Sequence, residues 1–136
     1  MKKDRELIER WLDFAYSDLK AIEPLIKEEI YHLACFHAQQ SVEKSLKVFL
    51  LFKTNRVNRI HSLNKLLLEC LKYESFLLKY KKDCLNLDRY YQPTRYPDAL
   101  PGSLPEGLPN KQDAKESFEI ADDIYWAVKN FLSEKL

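Results

Sequence analysis

A short polar connector, residues 53–62, carries the side chains best suited to chemistry. It places His61 five residues after Arg56 and two residues after Arg59. An imidazole titrates near neutral pH and can take or give a proton, while a guanidinium can stabilise negative charge on phosphorus. The spacing therefore indicates phosphodiester chemistry. The alternative interpretation is that His61 only caps or packs at the entrance of a helix.

A second candidate surface lies at the start of a proline-rich segment. It combines Tyr90, Tyr91, Arg95 and Tyr96 within seven residues. Tyrosine rings and guanidinium planes can stack on a nucleobase, and arginine can bind phosphate with two parallel hydrogen bonds. The same residues could instead hold the proline-rich segment against the rest of the protein, and the sequence leaves both interpretations open.

A third set of polar side chains interrupts the apolar segment 31–52, which contains neither proline nor glycine. These side chains form either a solvated face or a polar seam that faces a ligand or a second subunit. Residues 44–65 contain six lysines and arginines and no acid, whereas the last predicted helix is locally acidic. The basic side chains could pair with acids of other helices or form a patch for phosphate groups. The polar side chains that interrupt the apolar segment 31–52 are Gln39, Gln40, Glu43, Lys44 and Lys47.

The composition excludes several classes of function. A formal net charge of +1 gives no bulk attraction to DNA or other nucleic acid, and two glycines leave no glycine-rich phosphate loop. His32 and His37 are five residues apart on one predicted helix, so we expect no metal site and no cofactor. Three widely spaced cysteines indicate core residues in a reducing cytoplasm. The chain has no apolar signal region and no apolar run of about 20 residues, so we expect a cytoplasmic protein without a membrane segment.

Helical periodicity, caps and prolines predict an all-α fold, an antiparallel up-down bundle of four to five helices. We expect Asp4, Ser62 and Asn110 to cap helices, Asp18 to face solvent, and Pro24 to end the first helix. The prolines within 92–109 predict a loop inside a single domain, residues 1–136. The predicted helices span about 4–22, 31–52, 63–73, 75–91 and 110–134.

Several motifs together resemble the HEPN domain, a nucleotide-binding domain of higher eukaryotes and prokaryotes. The resemblance implies a helical bundle that is usually a homodimer, and many prokaryotic members act with a minimal nucleotidyltransferase as a toxin–antitoxin pair. Some members are metal-independent ribonucleases that bring an Arg-x4–6-His motif together across the dimer. The motifs are Trp11-x3-Ala15-x2-Asp18-Leu19, Cys35-Phe36-His37-Ala38-Gln39-Gln40-x2-Glu43-Lys44-x2-Lys47, His61-Ser62-Leu63 and Thr94-Arg95-Tyr96-Pro97-Asp98.

Arg56 and His61 fit the spacing of the nuclease motif, but in nuclease members that motif usually lies later in the bundle. The sequence therefore favours a non-catalytic or weakly catalytic protein that binds a nucleotide or RNA and acts with a minimal nucleotidyltransferase. In this hypothesis phosphate contacts Lys44 and Arg95, and Tyr91 or Tyr96 stacks on the base. Gln40, Lys47 and His61 complete the cleft.

Two alternatives remain open. The chain could be a dimeric, metal-independent ribonuclease toxin in which His61 is the general acid and base and Arg56 binds the phosphate. It could also be a scaffold whose polar helix face only forms a homodimer.

Overall fold

The computed structural model describes residues 4–91 and 107–136. They form an all-α antiparallel bundle, which confirms the predicted fold class. The described residues contain five α-helices and one short 3-10 turn, Leu78–Tyr80, that leads into the fourth helix. The helices are α1 (Arg5–Lys27), α2 (Tyr31–Thr54), α3 (Leu63–Leu71), α4 (Lys81–Asp88) and α5 (Lys111–Lys135).

The centre of the bundle is α2, which contacts each of the other four helices. Most of its side chains are buried because it packs against α1 and α5 on one side and against α3 and α4 on the other. Its small residues permit a close approach to α1, where the Ser41 hydroxyl donates to the carbonyl oxygen of Ala15 at 2.8 Å. The core therefore surrounds the one helix that carries the central polar side chains.

The prediction that Pro24 ends the first helix was wrong, because α1 continues to Lys27. Proline lacks an N–H and its ring crowds the preceding turn, but Pro24 is exposed and lies near the end of the helix. Ile22 is buried, and Leu25 and Ile26 pack against the core. Burial of these apolar side chains holds the last turn of α1 in helical form.

Local capping explains where the helices begin. The side chains of Asp4, Ser62 and Asn110 accept hydrogen bonds from backbone N–H groups in the first turns of α1, α3 and α5, as predicted. In addition, the carboxylate of Asp88 accepts from the backbone N–H groups of Leu63 (2.7 Å) and Asn64 (3.1 Å). The end of α4 is thereby attached to the start of α3, which fixes the backbone next to His61.

The second half of the bundle is shorter than the periodicity suggested. α3 ends at Leu71 instead of residue 73, and the predicted helix 75–91 is a 3-10 turn followed by the eight residues of α4. Most of the predicted proline-rich loop, residues 92–106, lies outside the described residues. None of the described helices is both long enough and apolar enough to cross a membrane.

The three cysteines are buried, as expected from their positions on apolar stripes. Burial raises the pKa of Cys35 to about 11 and that of Cys84 to about 12, so both thiols stay protonated. They act as small core residues.

Candidate functional site

Two sets of charged side chains with the same three chemical groups lie along α2, each completed by one residue from outside this helix. The first set, here the Asp18 cluster, consists of Asp18, His37 and Lys44. The second set, here the Glu43 cluster, consists of Glu43, Lys47 and His61. Each contains one carboxylate that contacts one imidazole and one ammonium group.

In the Asp18 cluster both carboxylate oxygens are used. Asp18 Oδ1 lies 2.8 Å from His37 Nδ1, and Oδ2 accepts a hydrogen bond from Lys44 Nζ. Burial alone would raise the pKa of Asp18, but the hydrogen bonds and positive charges of His37 and Lys44 outweigh it and hold the pKa below its usual value. The prediction that Asp18 faces solvent was wrong, since packing of α1 on α2 leaves its side chain only 13% exposed.

In the Glu43 cluster one oxygen serves both partners. Glu43 Oε2 lies 3.1 Å from Lys47 Nζ and 3.3 Å from His61 Nδ1, whereas the buried Oε1 has no hydrogen-bond partner among the described residues. Gln39, one turn earlier on α2, is also buried, and its Nε2 likewise has no partner in the described part of the chain. The side chains of Glu43 and Lys47 are 8% and 7% exposed, so they form a nearly dry ion pair.

His61 itself reaches the surface. Its side chain is 64% exposed, and its ring is nearly parallel to that of Tyr91 (interplanar angle 14°, centroids 6.2 Å apart). Because Glu43 accepts from Nδ1, the second ring nitrogen, Nε2, can exchange a proton or bind an oxygen anion. The arrangement is an oriented, accessible imidazole beside an aromatic ring.

Most of the predicted binding residues lie on or beside α2, but the lysines have partners within the chain. Lys44 binds Asp18 and Lys47 binds Glu43, so a phosphate would have to compete with a carboxylate for either ammonium group. Gln40 donates from Nε2 to Gln39 Oε1 at 2.7 Å. Arg95 and Tyr96 lie outside the described residues.

Arg56 belongs to a different surface from His61. It is exposed and lines a pocket of about 470 Å³ at the C-terminal end of α2, and His61 is not among the lining residues. Within residues 4–91 and 107–136, the Arg56 side chain makes no hydrogen bond or ion pair. A single chain therefore does not join Arg56 to the Glu43 cluster.

Sequence reasoning identified His61 and Lys47 but missed the Glu43 carboxylate that contacts both. The available signal was the i,i+4 spacing of Glu43 and Lys47, which places them on one helix face. Three lysines of the basic segment, residues 44–65, do pair with acids of other residues: Lys44 with Asp18, Lys47 with Glu43 and Lys53 with Glu74. Among the ion pairs of the described residues, none joins this segment to the acidic side chains of α5.

Two comparisons identify relatives of this chain. Residues 8–131 match the HEPN domain family. A protein of Methanocaldococcus jannaschii, named "Putative toxin MJ1304", is 28% identical over 130 residues, which cover 89% of this chain and 85% of that protein.

Two solved structures are also similar to this chain. TT1696 from Thermus thermophilus superposes with a TM-score of 0.79 and 30% identity, covering 90% of this chain and 96% of that one. ST0689, described as an archaeal HEPN homologue, gives a TM-score of 0.70 and 30% identity, covering 96% and 98% of the two chains. The family match spans nearly the whole bundle, so this chain belongs to the HEPN domain family.

Proposed function

We propose that this HEPN protein binds a nucleotide or RNA at the surface formed by His61 and Tyr91. The observation that carries the proposal is the exposed His61 imidazole, held at Nδ1 by Glu43 and stacked beside the Tyr91 ring. An oriented ring nitrogen can donate to a phosphate oxygen, and an adjacent aromatic ring can stack on a base. Arg95 and Tyr96, which the sequence predicts to contact the same ligand, lie outside the described residues.

The lysines have a modified role in this proposal. Lys47 fixes Glu43, which orients His61, and Lys44 fixes α1 on α2 through Asp18. Gln40 lies on α2 between His37 and Glu43 in sequence and offers an amide to the ligand. Affinity therefore rests on a few oriented groups and not on a bulk positive charge, in agreement with the net charge of +1.

The biological setting that we propose is a toxin–antitoxin-like pair with a minimal nucleotidyltransferase, in the cytoplasm and as a homodimer. Support comes from membership of the HEPN family and from the toxin name of the Methanocaldococcus jannaschii relative.

A second candidate is a metal-independent ribonuclease with His61 as general acid and base and Arg56 as the phosphate ligand. The observation in its favour is the Glu43–His61 contact, because a carboxylate at Nδ1 is a common way to orient a catalytic imidazole. Arg56 would have to come from a second chain, since one chain does not place it in the Glu43 cluster. A scaffold that only forms a dimer is the third possibility.

Binding and cleavage of a short single-stranded RNA in EDTA separate these functions. The variant is His61→Ala and the matched control is His32→Ala, because His32 is an exposed histidine of α2 with no partner among the described residues. We expect His61→Ala to weaken binding about tenfold, the loss of one hydrogen bond to a charged group, and His32→Ala to change nothing.

Each other result has a definite meaning. Cleavage by the wild type that disappears in His61→Ala would make the protein a ribonuclease. Equal affinity of His61→Ala and His32→Ala would place the binding site elsewhere. Absence of binding by the wild-type protein would leave only the scaffold.

A further inference from the structure

A pocket separate from the His61 surface lies between the C-terminal end of α2, the connector and the C-terminal part of α3. Its volume of about 470 Å³ is within the usual range for small-ligand sites. Nothing in the proposed function uses it. The lining residues are Leu50, Lys53, Thr54, Arg56, Val57, Asn58, Glu69 and Tyr73.

Only one charged group of this pocket has no partner among the described residues. Lys53 Nζ binds Glu74 at 3.0 Å and lies 5.2 Å from the centre of the Phe131 ring, and Glu69 accepts two hydrogen bonds from Lys72. Within the described residues the guanidinium of Arg56 makes neither an ion pair nor a hydrogen bond. The pocket therefore offers a single positive charge that is not already paired.

The backbone that carries Arg56 is held in place. Asn55 ends α2 in the left-handed conformation (φ 59°), and its N–H donates to the carbonyl oxygen of Leu51 at 2.7 Å. The hydroxyl of Thr54 accepts from the N–H of Arg56 at 3.2 Å, and the Asn58 side chain accepts from the N–H of Ile60 at 2.8 Å. A fixed backbone lowers the entropy cost of ligand binding, and an unpaired guanidinium has no ion pair to lose when a ligand binds.

The pocket also exposes aromatic and apolar surface. Tyr73 is 44% exposed and Val57 is 39% exposed, and both line the same space as Arg56. A tyrosine ring beside one guanidinium suits a ligand that combines a planar ring with one negative charge.

We propose that this pocket binds one nucleotide of a single-stranded RNA, with Arg56 on the phosphodiester and Tyr73 against the base. This inference rests on the proposed function, and it names the ligand as a strand and not a free nucleoside triphosphate. A phosphodiester carries one negative charge, which one guanidinium balances, whereas a triphosphate carries several. The five peptide units between Arg56 and His61 span at most ~18 Å, so one strand can contact both surfaces.

The proposal gives Arg56 a role in binding that differs from the catalytic role considered above. Arg56 and His61 then contact different nucleotides of the same strand, from within one chain. No second subunit is needed for one strand to reach both residues.

The test measures binding of a short fluorescein-labelled single-stranded RNA with 2′-O-methyl groups, which prevent cleavage through the 2′-hydroxyl. Arg59→Ala is the matched control for Arg56→Ala, because it removes the same charge from an exposed residue that does not line the pocket. We expect Arg56→Ala to weaken binding about tenfold more than Arg59→Ala. The slope of the logarithm of the binding constant against the logarithm of the salt concentration should become shallower by about 0.7.

The ring is tested separately. Tyr73→Ala should weaken RNA binding about fivefold, whereas Tyr73→Phe should retain the wild-type affinity because stacking needs only the ring. AMP and ATP should compete with the labelled RNA far more weakly than unlabelled RNA does.

The inference and the function on which it rests fail in different ways. If Arg56→Ala and Arg59→Ala bind RNA equally while His61→Ala binds weakly, only the pocket assignment is overturned. If ATP competes as well as unlabelled RNA, a nucleoside triphosphate is the ligand and the strand assignment is overturned. If the wild-type protein binds neither RNA nor nucleotide, the proposed function itself is wrong.

Discussion

The Asp18 cluster and the Glu43 cluster contain the same groups and differ in how completely they are hydrogen-bonded. Asp18 gives one oxygen to His37 and the other to Lys44. Glu43 gives a single oxygen to both of its partners, and its other oxygen is buried and has no partner within residues 4–91 and 107–136. His37 is 31% exposed and His61 is 64% exposed.

The difference separates a structural contact from a candidate site. A buried polar atom without a partner reduces stability, so native proteins contain few of them. The Asp18 cluster connects α1 to α2 and leaves no carboxylate oxygen unpaired. The Glu43 cluster holds an accessible imidazole and leaves Glu43 Oε1 unpaired among the described residues, which is the pattern expected where stability is exchanged for function.

The largest effect should come from breaking the Glu43–Lys47 pair on one side only. Glu43→Gln leaves the Lys47 ammonium in a nearly dry site without a counter-charge, and we expect the free energy of unfolding to fall by about 3 kcal/mol. The double variant Glu43→Gln/Lys47→Met removes both charges at similar volume. It should return to within about 1 kcal/mol of the wild type in urea denaturation, yet bind RNA poorly because His61 has lost its carboxylate.

A double variant as unstable as Glu43→Gln would contradict this interpretation. The Glu43 cluster would then stabilise the fold to the same degree as a fully hydrogen-bonded pair.

An intermediate effect is expected at Asp18. In Asp18→Asn the amide oxygen can still accept from Lys44, but the negative charge is lost and the NH2 group faces His37, which must change tautomer to accept from it. We expect a loss of about 2 kcal/mol in the free energy of unfolding. Asp13→Asn, an exposed position on the same helix, is the control and should stay within about 0.5 kcal/mol of the wild type.

The same variant tests the pH dependence. Because the pKa of Asp18 is lower in the folded protein than its ordinary value of 3.8, the unfolded chain binds more protons in acid. The contribution of Asp18 is therefore complete above its ordinary pKa and is lost as the pH falls through the folded-state pKa. Denaturation curves should show a shallower acid limb for Asp18→Asn than for the wild type; identical limbs would mean that Asp18 has an ordinary pKa.

The smallest effects concern the two histidines. His37→Ala removes a 2.8 Å hydrogen bond in a partly buried site and should cost about 1 kcal/mol of unfolding free energy. His61→Ala removes a longer contact at an exposed site and should cost at most about 0.5 kcal/mol, although it weakens RNA binding. A larger stability loss for His61→Ala than for His37→Ala would reverse the roles assigned to the two clusters.

Local rules predicted the start of each helix that has a side-chain cap. Asp4, Ser62 and Asn110 have the right side chains at the right distance from an apolar periodic segment, and capping depends only on neighbouring residues. Pro24 was misjudged because the packing of Ile22, Leu25 and Ile26 on other helices outweighs the local cost of proline. Helix length in such places depends on burial, which the local sequence does not specify.

The sequence alone determined the all-α class, the HEPN resemblance and, for the site, the choice of His61. Periodicity, motifs and residue types are properties of the chain itself. Only the tertiary structure decided that Asp18 is buried and that Glu43 orients His61. The tertiary structure also decided that Arg56 lines a pocket to which His61 does not contribute. These facts depend on which helices pack together, and partners 18 to 26 residues apart in sequence, such as Glu43 and His61 or Asp18 and Lys44, leave no local pattern.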